Sequence, residues 1–102
     1  MFEVQTFIPL ADNAGVEFQS AHHDVFEGVA MGLFGGVTDL PAEAAGAWLD
    51  AGVVYRDRFG IYTVALASIV DGAKVGELAA FAKAHYGQLA IYVRYLTLSE
   101  VL

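Results

Sequence analysis

The chain has 102 residues, no cysteine, a formal charge of −7 and 57% hydrophobic content. A chain without cysteine has no disulfide framework and no thiol chemistry, and one this acidic repels a phosphate backbone, so nucleic acid is not an expected partner. The length sets one domain, residues 1–102, and the hydrophobic content exceeds the ~45–50% of ordinary domains, so apolar surface is left for a second subunit, a membrane or a ligand cavity.

Residues 2–8 alternate, with Phe2, Val4, Thr6 and Ile8 on one face and Glu3, Gln5 and Phe7 on the other, which predicts a strand ended by Pro9. The start carries no cationic secretory signal, and with the absent cysteine this leads us to expect a cytoplasmic protein. Asp12-Asn13-Ala14-Gly15 has turn chemistry. From Ser20, a candidate N-cap, His22, Val25, Phe26, Val29 and Leu33 recur at helical spacing, predicting a helix over 20–33 that ends into Gly35-Gly36. Gly28 and Gly32 inside it weaken the helix, and close packing against another backbone is the expected compensation. The longest nearly apolar run, 28–37, is about half of the ~20 residues a spanning helix needs, so no membrane span is expected.

The stretch Phe34-Gly35-Gly36-Val37-Thr38 marks the change from helical to strand pattern. Strand-like residues 36–40 follow, then an interruption at Pro41-Ala42-Glu43. Ala47-Trp48-Leu49 and Val53-Val54-Tyr55 read as a hairpin around Asp50-Ala51-Gly52, with Trp48 and Tyr55 as a cross-strand aromatic pair. Residues 61–66 form a β run. Asp71 caps a second helix with Val75, Leu78, Ala79, Ala82 and Tyr86 on one stripe, closed by Gly87, and a last strand runs from Leu89 to about Leu98.

The order β-α-β-β-α-β predicts a ferredoxin-like α+β fold: an antiparallel four-stranded sheet with a β-hairpin extension and two helices on one face. The open face is expected to hold Phe7, Tyr92 and Leu96, with the Tyr62, Val64, Leu66 set beside Glu3, Gln5 and Arg94. So apolar a face invites burial against a copy of itself, and a homodimer through the open sheet face is the expected assembly.

Thr6-Phe7-Ile8-Pro9-Leu10-x-Asp12-Asn13-x-Gly15, Phe34-Gly35-Gly36-Val37-Thr38, Gly46-x-Trp48 and Tyr86-Gly87-Gln88 resemble, in that order along nearly the whole chain, a group of small bacterial proteins of uncharacterised activity. The Phe-Gly-Gly-x-Thr and Gly-x-Trp motifs are the most specific part of the likeness. It implies a small ferredoxin-like fold and no particular reaction. Where the group carries an acidic pair in its third strand, this chain has Asp57-Arg58.

The topology gathers the Asp12 loop, the start of the first helix with His22 and His23, the hairpin tip, and the end of the second helix with His85 and Tyr86 at one end of the molecule. His22, His85, Tyr86, Trp48, Arg94 and Asp12 are therefore the candidate pocket residues. A histidine could act there as general base, with Tyr86 or Arg94 polarising a substrate oxygen. Adjacent His22 and His23 point about 100° apart and lack the i, i+4 spacing of zinc sites, so no metal is expected. No Gly-x-Ser-x-Gly elbow and no phosphate loop is present, and nothing requires a cofactor. Three classes of function follow: a self-associating module, a cofactor-independent enzyme or binding protein for a small molecule, and an acidic protein that engages a basic partner. The last rests on charge, since residues 1–50 carry −8 and no Lys or Arg while residues 51–102 carry +1.

Overall fold

The computed structural model describes residues 2–96, and within them all side chains except those of Pro41 and Ile69. Strand β1 (Phe2–Pro9) is followed by α1 (Ser20–Phe34), β2 (Thr38–Asp50), β3 (Val53–Leu66), a 3-10 turn at Ile69–Asp71, α2 (Gly72–Tyr86) and β4 (Tyr92–Leu96). The sheet is four-stranded and antiparallel in the order β2-β3-β1-β4. This is the ferredoxin-like α+β arrangement, with both helices on one face.

The core lies between that face and the helices. Val4 and Ile8 of β1, Tyr62, Val64 and Leu66 of β3, Phe26 and Ala30 of α1, and Val75, Leu78, Ala82 and Tyr86 of α2 form one buried cluster. The single buried polar side chain among the described residues, Thr6, donates from Oγ1 to the Tyr62 carbonyl at 3.0 Å, so its desolvation is offset in place. Tyr62, Val64 and Leu66 thus face the helices and not the open side. Thr6 pairs with Tyr62 and Val4 with Val64, and residues directly opposite each other share a face. The open side of β3 is Phe59, Ile61, Thr63 and Ala65.

Several local expectations are also corrected. Pro41 does not interrupt the second strand: β2 is continuous, and the register slips between Leu40 and Glu43, a bulge that absorbs the residue lacking an N–H. The hairpin turn has two residues, since Asp50 pairs with Val53, and Ala51 (φ 50°) and Gly52 (φ 79°) are both left-handed, as a type I′ turn requires. Gly28 and Gly32 meet no backbone, and a Cβ on either would enter open space. At the helix starts, Gln19 rather than Ser20 holds the cap position of α1. Asp71 holds that of α2, but its carboxylate accepts from Ser68 N–H and pairs with Lys74 instead of bonding the first helical amides. Both helices end on left-handed glycines, Gly35 and Gly87. The expected stretch of the last strand beyond Leu96 lies outside the described residues.

β1 pairs with β3 only as far as Pro9 opposite Phe59, so residues 53–57 and the facing part of β2 project beyond the sheet as a two-stranded ribbon.

Candidate functional site

The loop before α1 is ordered by its own polar groups. Asp12 Oδ1 accepts the N–H groups of Ala14 and Val16, both at 2.9 Å, and Phe18 N–H returns to the Leu10 carbonyl. This small hairpin sets the Phe18 ring over His22. The α2 terminus turns through Gly87, and Gln88 N–H bonds the Lys83 carbonyl, which places His85 and Tyr86 against α1.

The two helix ends meet through histidines. His22 Nε2 lies 2.7 Å from the His85 carbonyl, and His85 Nε2 lies 2.7 Å from the His22 carbonyl. A carbonyl only accepts, so both imidazoles carry a proton on Nε2 and donate it. Their rings stack at 3.6 Å and 8°. Phe18 covers the outer face of His22 at 4.8 Å, and Phe81 that of His85 at 5.0 Å. The third histidine bonds through Nδ1 to the Tyr86 hydroxyl at 2.8 Å. Burial, then the neighbouring His22, holds His23 below its ordinary value of 6.5 against the opposing pull of Asp39 and Asp24. Burial raises the Tyr86 phenol, which therefore stays protonated throughout the neutral range.

This end ties two helices together, and with Nε2 protonated the Nδ1 atoms of His22 and His85 keep their lone pairs. Each imidazole Nε2 of the stacked pair is committed to a carbonyl, and Asp12 is committed to its turn. Among the described residues no three His, Asp or Glu converge in a way that would hold a metal ion.

The candidate residues divide among three places. His22, His85 and Tyr86 come together, with Asp12 in the adjoining loop. Trp48 stands on the ribbon four residues past the end of β1 pairing, roughly 13 Å away at the rise of a strand. There it stacks on Tyr55 at 4.6 Å and donates Nε1–H to Asp57 at 2.8 Å. Arg94 lies on the open face of the sheet with its guanidinium 5.3 Å from the centre of the Phe7 ring. The pocket expected around His22, His85 and Trp48 is not assembled within one chain. A shallow depression of about 380 Å³ lies at the opposite end, lined by Glu3, Thr63 and the Phe34-Gly35-Gly36-Val37-Thr38 stretch.

Sequence reading missed the continuity of the open face with the ribbon. Tyr92 meets Phe7 edge-on at 5.1 Å, and Phe7 meets Phe59 at 6.1 Å. The register carries that same face outward through Gly46 and Asp57 to Trp48, Tyr55 and Val53. Phe59 lies directly over Gly46, whose Cβ, if present, would sit 2.8 Å from the ring, and this accounts for the glycine of the Gly-x-Trp motif. At the ribbon base Arg58 bonds both oxygens of Glu43 and one of Glu17, which pins the loop before α1 to the ribbon. Those bonds raise the Arg58 guanidinium and lower the Glu43 carboxyl.

No family model matches the chain, and no curated protein matches it. Among solved structures it is similar to the divalent cation tolerance protein CutA1 of Thermus thermophilus, at 15% identity and a TM-score of 0.65, over 100% of this chain and 88% of that one. It is also similar to a phage SAM lyase in its apo state, at 13% identity and a TM-score of 0.68, over 93% of this chain and 78% of that one. The CutA protein of Pyrococcus horikoshii matches at 14% identity and a TM-score of 0.59, over 100% and 88%. At these identities the likeness shows the shared ferredoxin-like fold and nothing finer.

Proposed function

We propose that this protein is a self-associating module, a homodimer that buries the open sheet face and the ribbon continuous with it. One observation carries the reading: Trp48, Val53 and Tyr55 are between 43% and 52% exposed on the open-face side of a ribbon that has no third strand among the described residues. Two-stranded ribbons are marginal in water, and a contiguous apolar patch of this kind is the ordinary mark of an interface. Tyr92, 58% exposed, extends the patch across the sheet. A two-fold assembly covers the patch with its own copy, and Arg56 and Arg58 moderate the acidic self-repulsion of the rest of the chain.

Sedimentation velocity across a concentration series tests the proposal. The wild-type chain is expected to sediment as a dimer at tens of micromolar, and Trp48→Asp combined with Val53→Asp to sediment as a folded monomer with unchanged helical circular dichroism. A wild-type chain that stays monomeric over that range overturns it.

A further inference from the structure

The open face carries opposite charges that cannot meet within one chain. Of the five basic residues, Lys74 and Lys83 lie on α2, and Arg56 and Arg58 flank Asp57 on β3 and so stand on the other side of the ribbon. Arg94 is thus the one cation on the open face among the described residues. It is exposed, forms no ion pair with a described residue, and rests its guanidinium on the Phe7 ring at 5.3 Å. Asp57, exposed on the same face, accepts Trp48 Nε1–H through Oδ2, while its Oδ1 accepts from no described residue. At the rise and spacing of strands the two residues are roughly 20 Å apart.

Their places match about the aromatic row. Tyr92 pairs with Phe7, and Arg94 lies two residues beyond it, opposite Gln5. Phe59 meets Phe7 edge-on, and Asp57 lies two residues beyond Phe59 in the other direction, opposite Gly46. Laid out at strand rise and spacing, a two-fold axis lying in the face and passing between Phe7 and Phe59 sets Phe59 on the partner's Phe7. The same rotation sets Arg94 on the partner's Asp57 and Trp48 on the partner's Leu96. Glu3 is the other acid near Arg94 on this face, but an axis that brought Arg94 to the partner's Glu3 would lie at the start of β1 and leave Trp48, Tyr55 and Val53 in water.

We propose that the register of the dimer is fixed by two reciprocal ion pairs, Arg94 of each chain with the partner's Asp57. The pairing rests on the self-association proposed above and adds what orients the two copies. Pairs sealed between apolar faces are shielded from water, and a guanidinium on a carboxylate is directional, so they select one arrangement among those the apolar patch permits. They also set attraction at two fixed points against the repulsion between chains that each carry −7.

The test is sedimentation equilibrium of the full chain, with circular dichroism to show that each variant keeps its helices. Arg94→Asp and Asp57→Arg are each expected to weaken self-association about tenfold or more, because each homodimer then holds two like-charge contacts. An equimolar mixture of the two variants is expected to dimerise like the wild type. In the mixed dimer one pair is native and the other is reversed, so both are satisfied. Glu3→Arg mixed with Arg94→Asp is expected to give no such rescue. A dimeric wild type with either single reversal associating as tightly, or with a mixture of Arg94→Asp and Asp57→Arg that stays monomeric, overturns the pairing and leaves the dimer standing. A monomeric wild type overturns both.

Discussion

His22 and His85 each donate to the other's backbone carbonyl while their rings lie 3.6 Å apart, so removing either ring loses two interactions and leaves a carbonyl without its donor. His22→Ala and His85→Ala are each expected to lower unfolding free energy by about 1–3 kcal/mol in urea titrations. The double variant is expected to cost clearly less than the two losses added, because the partners share one arrangement. His23 gives the pH dependence. Its folded value lies below the unfolded 6.5, so the unfolded chain binds the proton more readily. Its contribution is complete above pH 6.5 and is lost as pH falls through the folded value. Urea midpoints are expected to drop over that window in the wild type and to drop less in His23→Gln. The sequence placed all three histidines at one end because strand and helix order alone decides that. It was silent on the reciprocal bonds, which depend on how far α1 is slid along α2.

Among the elements, the ribbon departs furthest from what its sequence displays. Pro41 looks like a strand breaker, yet a bulge lets β2 pass it, and no local pattern distinguishes a bulge from an end. Ala51 sits at φ 50°, a conformation that costs a residue with a Cβ about 1 kcal/mol. Ala51→Asn, which makes the turn Asn-Gly, is therefore expected to stabilise the ribbon by about 0.5–1 kcal/mol, read as slower amide exchange in residues 43–58. Gly46→Ala forces the Phe59 ring aside and is expected to cost about 1–2 kcal/mol, with the Phe7 and Tyr92 ring resonances shifting as the aromatic row reorganises. The stacked Trp48 and Tyr55 were legible from the hairpin spacing, since a two-residue or three-residue turn leaves them near each other.

For the molecule as a whole, the β-α-β-β-α-β order was readable because two strong helical stripes separate clear strand runs. The face of β3 was not. Residues 61–66 are apolar on both sides, so their pattern carries no phase, and only the pairing of Thr6 with Tyr62 assigns Tyr62, Val64 and Leu66 to the core. That assignment leaves Ile61, Thr63 and Ala65 on the open side and makes the uncovered surface less greasy over the sheet and more so along the ribbon. The weight of the self-association reading accordingly moves outward, to Trp48, Val53 and Tyr55.

Amide hydrogen exchange of residues 43–58, measured from low micromolar to sub-millimolar protein, tests this account most directly. Protection of the ribbon is expected to rise with concentration in step with sedimented mass, while α1 and α2 stay protected throughout. Ribbon amides that exchange at one rate at every concentration, in a chain of monomer mass, would contradict it.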